Sequence, residues 1–156
     1  MQTIDYKDQE NLNSLVTEEF TAWSEPLLIT QEMINTFADL SGDDLWIHVD
    51  EARCATESPF KSTIAHGFLI MCLLSKMPTG ENVTEKISGW RNIMNYGSDK
   101  LRFLNAVPVN SEIHARNRVM KIEVAEHKTK VLLEAQVKVV GQEKLALLYQ
   151  LTLVLM

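Results

Sequence analysis

Apolar and polar residues alternate along the second half of the chain. Five apolar side chains at every second position, Val131, Leu133, Ala135, Val137 and Val139, are separated mainly by charged and amide side chains. Successive side chains of a β-strand point to opposite faces of the sheet, so a period of two predicts a strand with one buried face. The pattern predicts four strands in all, at Met94–Phe103, Ser111–Glu123, Lys130–Val140 and Leu145–Met156. Consecutive strands joined by short loops pair antiparallel.

Residues 31–41 have the spacing of a helix instead. Thr30 is suited to cap the helix at its start. One helical face then collects the apolar side chains of Met33, Ile34, Phe37, Ala38 and Leu40. Gly42 suits the position after the last turn, where a positive φ is common. Asp43 therefore leaves the helix end in a fixed direction.

Smaller elements are predicted around this helix. They are strands at Phe20–Trp23 and Leu27–Ile29 and a short helix at Glu51–Ala55, capped by Asp50 and ended by Ser58-Pro59. Residues 1–17 are mostly polar and are predicted to form an arm, with residues 18–156 as a single domain. A chain of 156 residues is of the size expected for one domain with its own core.

An unbroken apolar run, Phe68–Leu74, follows His66-Gly67. A run of this length also suits a buried strand, but its Met and Leu content favours a helix over Ile64–Ser75. A helix that is apolar on every face must be enclosed, and the four strands supply the enclosure. The expected fold class is α+β, with an antiparallel β-sheet wrapped around a central buried α-helix.

Charge and composition exclude several classes of protein. The net charge of −6 argues against a nucleic-acid partner, which would need clustered Lys and Arg. The N-terminus lacks the features of a signal peptide, and no apolar run reaches the roughly 18 residues of a membrane span. Cys54 and Cys72 are too few for a disulfide framework. The sequence therefore predicts a cytoplasmic protein without a membrane partner.

The densest polar motif lies between the two predicted long helices. It comprises Phe37, Ala38, Ser41, Gly42, Asp43, Ile47, His48 and Asp50, followed by Phe60 and then by Ile64, Ala65, His66 and Gly67. In residue types and order it resembles the signature of the MaoC-like, or (R)-specific enoyl-CoA hydratase, family. Leu45-Trp46 stands where that signature has Asn-Pro. The Trp-Ile-His variant and Asn95-Tyr96-Gly97 resemble the NodN-like branch.

The resemblance implies a hotdog fold and a reaction. The reaction is the addition of water to a trans-2-enoyl thioester, or its reverse, 3-hydroxyacyl-thioester dehydration. Asp43 and His48 are the implied catalytic dyad, because a carboxylate and an imidazole that share one water can move both protons. Gly67 is the implied donor to the thioester oxygen. The acyl carrier would be coenzyme A or an acyl-carrier protein, and neither a metal nor another cofactor is implied.

Two further residues have less defined roles. Ser75 matches a family serine that holds the aspartate in place, although it also suits an ordinary polar position near a helix end. His66 is expected beside the oxyanion and substrate site, hydrogen-bonding around the helix start. The bulk of Trp46 is expected to alter or narrow the acyl pocket. The sequence leaves open which dyad member acts as the base.

Alternative functions use the same residues. His48 and His66 could bind a metal together with Asp43 and Asp50, since His-x-Asp is a plausible ligand pair. A hotdog thioesterase would cleave the thioester, and a binding or accessory protein would hold an acyl thioester without turnover.

Assembly is the last expectation. Sheet edges left open are usually covered or paired, and the resemblance implies a homodimer or a multiple of one. Lys100 and Arg102 form the nearest clustered basic pair in an acidic chain. They are candidates for contacts with the phosphates of coenzyme A, and ordinary charges on a strand surface are the alternative.

Overall fold

One five-stranded sheet carries the central helical segment on one face. The computed structural model describes residues 3–80 and 82–156. The helices along the chain are α1 (Gln9–Leu12), α2 (Gln31–Ser41), α3 (Trp46–Val49), α4 (Glu51–Glu57) and α5 (Gly67–Cys72). The strands are β1 (Ile4–Asp5), β2 (Leu27–Leu28), β3 (Ile87–Ser88), β4 (Ile93–Phe103), β5 (Glu112–Ala125), β6 (Lys128–Val139) and β7 (Leu145–Leu155).

The sheet has the strand order β2-β5-β6-β7-β4, and every neighbouring pair is antiparallel. Its four long strands coincide with those predicted from the alternation, with ends that differ by one or two residues. β4 lies at one edge, and the short β2 lies at the other. The prediction of an antiparallel α+β architecture is confirmed.

The central helical segment is shorter than predicted. It begins at Gly67 rather than at Ile64, and after Cys72 it continues as a 3₁₀ turn over Leu73–Lys76. Ile64 instead forms an isolated antiparallel bridge with Pro108. One face of the segment packs against the sheet and forms the main core. The segment contributes Leu69, Ile70 and Leu73, and the strands contribute side chains that include Ile113, Val137 and Leu147.

The expectation that this segment is enclosed on every face is wrong for the single chain. Phe68 is 56% exposed, and Cys72 and Ser75 are exposed as well. These residues form a stripe of exposed positions along the segment. The strands of one chain therefore leave part of the helical segment uncovered.

An arm was predicted at residues 1–17, of which the structure describes residues 3–17. This part packs over the sheet beside Ile122 of β5 and Leu155 of β7. Leu12 is fully buried in a second apolar cluster with Val83, Ile122 and Leu155. The Thr129 hydroxyl donates a hydrogen bond to the carbonyl of Tyr6. Short β1 pairs in parallel with β3.

Residues 20–23 do not form the predicted strand, although they run beside β5. The amides of Thr21 and Ser24 donate to the carbonyls of Asn117 and Ala115, at 2.8 and 2.7 Å. The returning bonds go to the side-chain hydroxyls, since Asn117 and Ala115 donate to Thr21 Oγ1 and Ser24 Oγ. Hydroxyls that replace carbonyls as acceptors interrupt the ladder, so only Leu27–Leu28 is a strand here.

Among residues 3–80 and 82–156, no helix is long and apolar enough to cross a membrane.

Candidate active site

The end of α2 sets the position of Asp43. Thr30 Oγ1 accepts from the amide of Met33 and caps the helix start, as predicted. At the other end Gly42 adopts a φ of +78° and donates its amide to the carbonyl of Ala38. This left-handed cap, which strongly favours glycine, ends the helix and makes Asp43 the next residue of the chain. The Asp43 side chain is exposed.

His48 lies on the one-turn helix α3, and its side chain is 9% exposed. Its Nδ1 is 2.7 Å from the carbonyl oxygen of Ile64. A carbonyl oxygen can only accept a hydrogen bond, so Nδ1 carries the proton. In the neutral ring Nε2 then carries the lone pair, which is the form that a general base requires.

His66 immediately precedes α5 and is 2% exposed. Its Nε2 donates to the carbonyl oxygen of Asp43 at 2.8 Å. The ring stacks on that of His48, with 3.8 Å between centroids and 25° between planes. The ring of Phe37 on α2 also packs against the His66 ring, with 4.9 Å between their centroids. The two histidines therefore form one stacked unit beside the end of α2.

The structure brings together the side chains of Asp43, His48 and His66. One ligand atom of each lies within 4.8 Å of the corresponding atoms of the other two. These are also the ligand types of a metal centre. Imidazoles that lie face to face, however, direct their in-plane lone pairs side by side rather than toward one point. The stacked geometry therefore disfavours coordination of one metal ion by both histidines.

Asp50, the fourth residue of the metal alternative, is used elsewhere. Its carboxylate accepts from the amide of Arg53 at 2.9 Å and caps α4. The predicted short helix with its Asp50 cap is thus confirmed, two residues longer than expected. Ser58 follows its last turn as the C-cap.

A cavity of about 270 Å³ opens beside the stacked histidines. His48 and Gly67 both line it, with an otherwise mainly apolar wall that includes Ile70, Phe103, Val107 and Leu147. An ideal Cβ at residue 67 would lie 2.6 Å from the Phe103 ring. Gly67 is therefore required for the close approach of that ring. The cavity offers an imidazole and the start of α5 within an apolar enclosure.

Trp46 does not narrow this cavity, contrary to the expectation from its bulk. It is not among the residues that line the cavity. The guanidinium of Arg53 lies 4.2 Å from the centre of its ring, so the indole packs against α4. The turn survives without Asn-Pro, because the amide of His48 donates to the carbonyl of Leu45 at 2.8 Å.

Ser75 lies away from the dyad. It follows Gly67 by eight residues and lines a second cavity of about 330 Å³, together with Tyr149 and Leu151. No hydrogen bond joins it to Asp43 within the described residues. Burial raises the pKa of the Tyr149 phenol, and the nearby Cys72 thiol adds to the effect.

Lys100 and Arg102 lie on exposed positions of the edge strand β4. They pair in register with Gln150 and Leu148, whereas the intervening Leu101 pairs with Tyr149 and packs into the main core. Because side chains alternate along a strand, both cations point away from the cavity of their own chain. The fold of one chain does not bring them to the dyad.

Sequence reasoning missed Phe103, which now forms part of the cavity wall. The sequence could have predicted its orientation, because the alternation along β4 places Phe103 on the same face of the strand as Leu101. The contact with Gly67 joins residues 36 positions apart in the sequence and required the three-dimensional structure.

Comparison with known proteins places this geometry in a family. The profile of the family described as MaoC like domain matches residues 15–142. The chain belongs to the MaoC-like family. The resemblance in residues 37–67 is thereby confirmed, and the match to a nodulation protein N supports its NodN-like branch.

Three known proteins illustrate the likeness. The 3-hydroxyacyl-thioester dehydratase Z of Mycobacterium tuberculosis (strain ATCC 25618 / H37Rv) is 41% identical over 100 residues, 64% of each chain. Nodulation protein N of Rhizobium meliloti (strain 1021) is 43% identical over 108 residues, 68% of this chain and 64% of the relative. The match thus spans just under two thirds of the length of these curated relatives.

The third relative is a solved structure. The (R)-hydratase from A. caviae involved in PHA biosynthesis superposes with a TM-score of 0.68 at 25% identity, covering 88% of this chain and 96% of that one. The fold is the hotdog arrangement that the sequence resemblance implied.

Proposed function

We propose that the protein is an (R)-specific enoyl-thioester hydratase, or equivalently a 3-hydroxyacyl-thioester dehydratase. The observation that carries the proposal is the hydrogen bond from His48 Nδ1 to the carbonyl of Ile64. It leaves the Nε2 lone pair available on a residue that lines the cavity, beside the carboxylate of Asp43. The dehydratase and hydratase names of the relatives support the same reaction class.

The chemistry follows from this pair. Water adds its oxygen to C3 of the enoyl thioester while His48 Nε2 accepts one of its protons and Asp43 accepts a hydrogen bond from the other. The electron pair of the double bond moves toward the thioester oxygen. Proton delivery from His48 to C2 then completes the addition, so that one water supplies both the new hydroxyl and the new C–H bond. Dehydration is the same sequence in reverse.

The thioester oxygen needs a donor while it carries negative charge. Gly67 begins α5 and lines the same cavity as His48. The first amides of a helix have no intrahelical acceptor, and one well-placed donor to an oxyanion is worth about 2.7–4 kcal/mol. We assign this role to the Gly67 amide. The acyl carrier is coenzyme A or an acyl-carrier protein, and the expected setting is the cytoplasm.

A homodimer is part of the proposal. β4 occupies the sheet edge, and its residues are exposed apart from Leu101. An edge strand of this length usually pairs or is covered. The outward stripe of Phe68, Cys72 and Ser75 on the helical segment would be covered by the same event.

The test is turnover of trans-2-enoyl-CoAs of graded length, beginning with crotonyl-CoA. Hydration removes the enoyl absorbance without releasing a free thiol, a thioesterase releases the thiol, and a binding protein does neither. Asp43→Asn and His48→Gln should each lower the rate by about 10²–10⁴-fold. Asp44→Asn and His127→Gln, at exposed positions, are the matched controls. More than half the wild-type rate in either dyad variant would remove the assignment.

A further inference from the structure

His66 is a buried residue with one ring nitrogen left unused. The side chain is 98% buried, being 2% exposed. Nε2 donates to the carbonyl of Asp43, but Nδ1 has no hydrogen-bond partner within the described residues. A buried acceptor without a partner costs about 1–3 kcal/mol. An apolar ring in the same place would avoid this cost, so stability alone does not explain a histidine here.

The same ring contacts both members of the proposed dyad. Its Nε2–H reaches the main chain of Asp43, and its face lies against the ring of His48. Within residues 3–80 and 82–156, the Asp43 amide makes a single hydrogen bond, of 3.3 Å to the hydroxyl of Ser41, so the backbone here has few other restraints. His66 therefore restrains the carbonyl of Asp43, and with it the part of the backbone from which the carboxylate extends.

We propose that His66 is a positioning residue that acts in its Nε2–H form, holding Asp43 by a hydrogen bond and His48 by stacking. The rate consequences rest on the proposed hydratase function, whereas the proton position and the contacts do not. His66 is 2% exposed, and its one N–H is already bonded to the carbonyl of Asp43, so it acts through the other two residues and not on the substrate.

Two variants separate the hydrogen bond from the stacking. His66→Phe keeps an aromatic ring and loses the donor, and His66→Gln keeps an N–H at similar reach and loses the ring. A catalytic group displaced by about 1 Å can lose on the order of 10²-fold in rate. We expect His66→Phe to lower kcat by about that factor with little change in KM, and His66→Gln to recover at least about tenfold of it.

The control is His114→Phe, because His114 also stacks on an aromatic ring, that of Trp23 at 4.2 Å, and does not line the cavity. It should leave kcat unchanged. The thermal midpoint of His66→Phe should stay within about 5 °C of wild type, since the unpaired Nδ1 is removed along with the hydrogen bond. A large loss of stability with unchanged kcat would overturn the positioning role and leave a structural one.

Nitrogen-15 spectra of the imidazoles test the arrangement without any substrate. At pH 8 we expect His66 to carry its proton on Nε2 and His48 to carry its proton on Nδ1. In His66→Phe the carbonyl-carbon resonance of Asp43 and the ring resonances of His48 should both shift, and in His114→Phe neither should. A proton on Nδ1 of His66, or unmoved Asp43 and His48 signals, would overturn the proposal even if no enoyl thioester proves to be a substrate.

Discussion

The ring of Phe103 occupies the space that a side chain at Gly67 would need. Cδ1 and Cγ of that ring both lie 2.6 Å from the ideal Cβ position. Gly67→Ala must therefore displace the ring, which overpacks the cavity wall at a cost of about 1–3 kcal/mol. We expect hydration to fall about tenfold or more, because the amide of residue 67 moves with the wall.

Phe103→Ala in the same chain provides the control for this prediction. The double variant should recover stability relative to Gly67→Ala, giving a favourable coupling energy in a double-mutant cycle measured by urea unfolding. Strict additivity of the two substitutions would show that the ring moves aside freely and that Gly67 is not kept for it.

Acyl-chain preference should depend on Phe103 and not on Trp46. Phe103 lines the cavity with His48, whereas Trp46 is not among the lining residues and packs against Arg53. Across a series of enoyl-CoAs of increasing length, Trp46→Ala should keep the wild-type order of kcat/KM, and Phe103→Ala should shift it toward bulkier chains. If Trp46→Ala alone changed this order, we would conclude that Leu45-Trp46, which stands in place of Asn-Pro, does shape the acyl pocket.

Truncations on the two sides of the central segment should differ in their cost. Ile70 is 3% exposed and Phe68 is 56% exposed. Ile70→Ala should lower the free energy of unfolding by about 2–5 kcal/mol. Phe68→Ala should cost the single chain much less but should weaken a dimer that covers this face. Light scattering and unfolding at several protein concentrations check both, and a concentration-independent monomer would contradict the proposed assembly.

The two thiols should react with alkylating reagents at very different rates. Cys54 is fully buried, and burial raises the pKa of its thiol, with the negative charge of Asp50 acting in the same direction. The thiolate is the nucleophile, so Cys54 should be modified only as the protein unfolds. Cys72 is exposed in the single chain. Mass spectrometry of partly labelled protein should find Cys72 modified first, and protection of Cys72 at high concentration would indicate a partner covering the helical face.

Arg102→Ala should raise the KM for a coenzyme A thioester with little change in kcat, if its guanidinium meets the carrier phosphates. Within one chain the side chain points away from the cavity, so this contact requires the second copy. Lys121→Ala, which removes an exposed cation from β5, is the matched control. An unaltered KM in Arg102→Ala would leave Arg102 as an ordinary surface charge.

Most of the fold could be predicted from periodic patterns of apolar residues and from local helix caps. The alternation along β6 places Val131, Leu133, Val137 and Val139 in the two apolar clusters, and this signal is local to the strand. The caps at Thr30 and Asp50 depend only on residues within one helical turn, which is why their helices were placed within two residues. The predicted strand at Phe20–Trp23 was wrong, because the hydroxyls of Thr21 and Ser24 replace backbone carbonyls as hydrogen-bond acceptors. The apolar content of a segment does not reveal this competition.

The site was only partly accessible from sequence. The order of Asp43, His48 and Gly67 predicted which side chains to examine, and the structure brings the dyad side chains together and places Gly67 on the same cavity as His48. The stacking of His66, the use of the Ile64 carbonyl and the ring of Phe103 depend on contacts between distant segments. The exposure of Phe68 was not predicted, because an apolar run indicates that a segment is buried but does not indicate whether its own chain or a second one buries it.

Residues 43–48 and the segment before α5 are joined by hydrogen bonds that run in both directions. His48 Nδ1 donates to the carbonyl of Ile64, His66 Nε2 donates to the carbonyl of Asp43, and the amide of Ile64 donates to the carbonyl of Ile47. Both imidazoles thus join the two segments by hydrogen bonds. Residues 43–48 and 64–66 should consequently open as one unit in hydrogen exchange, with amide protection that rises and falls together in the two segments.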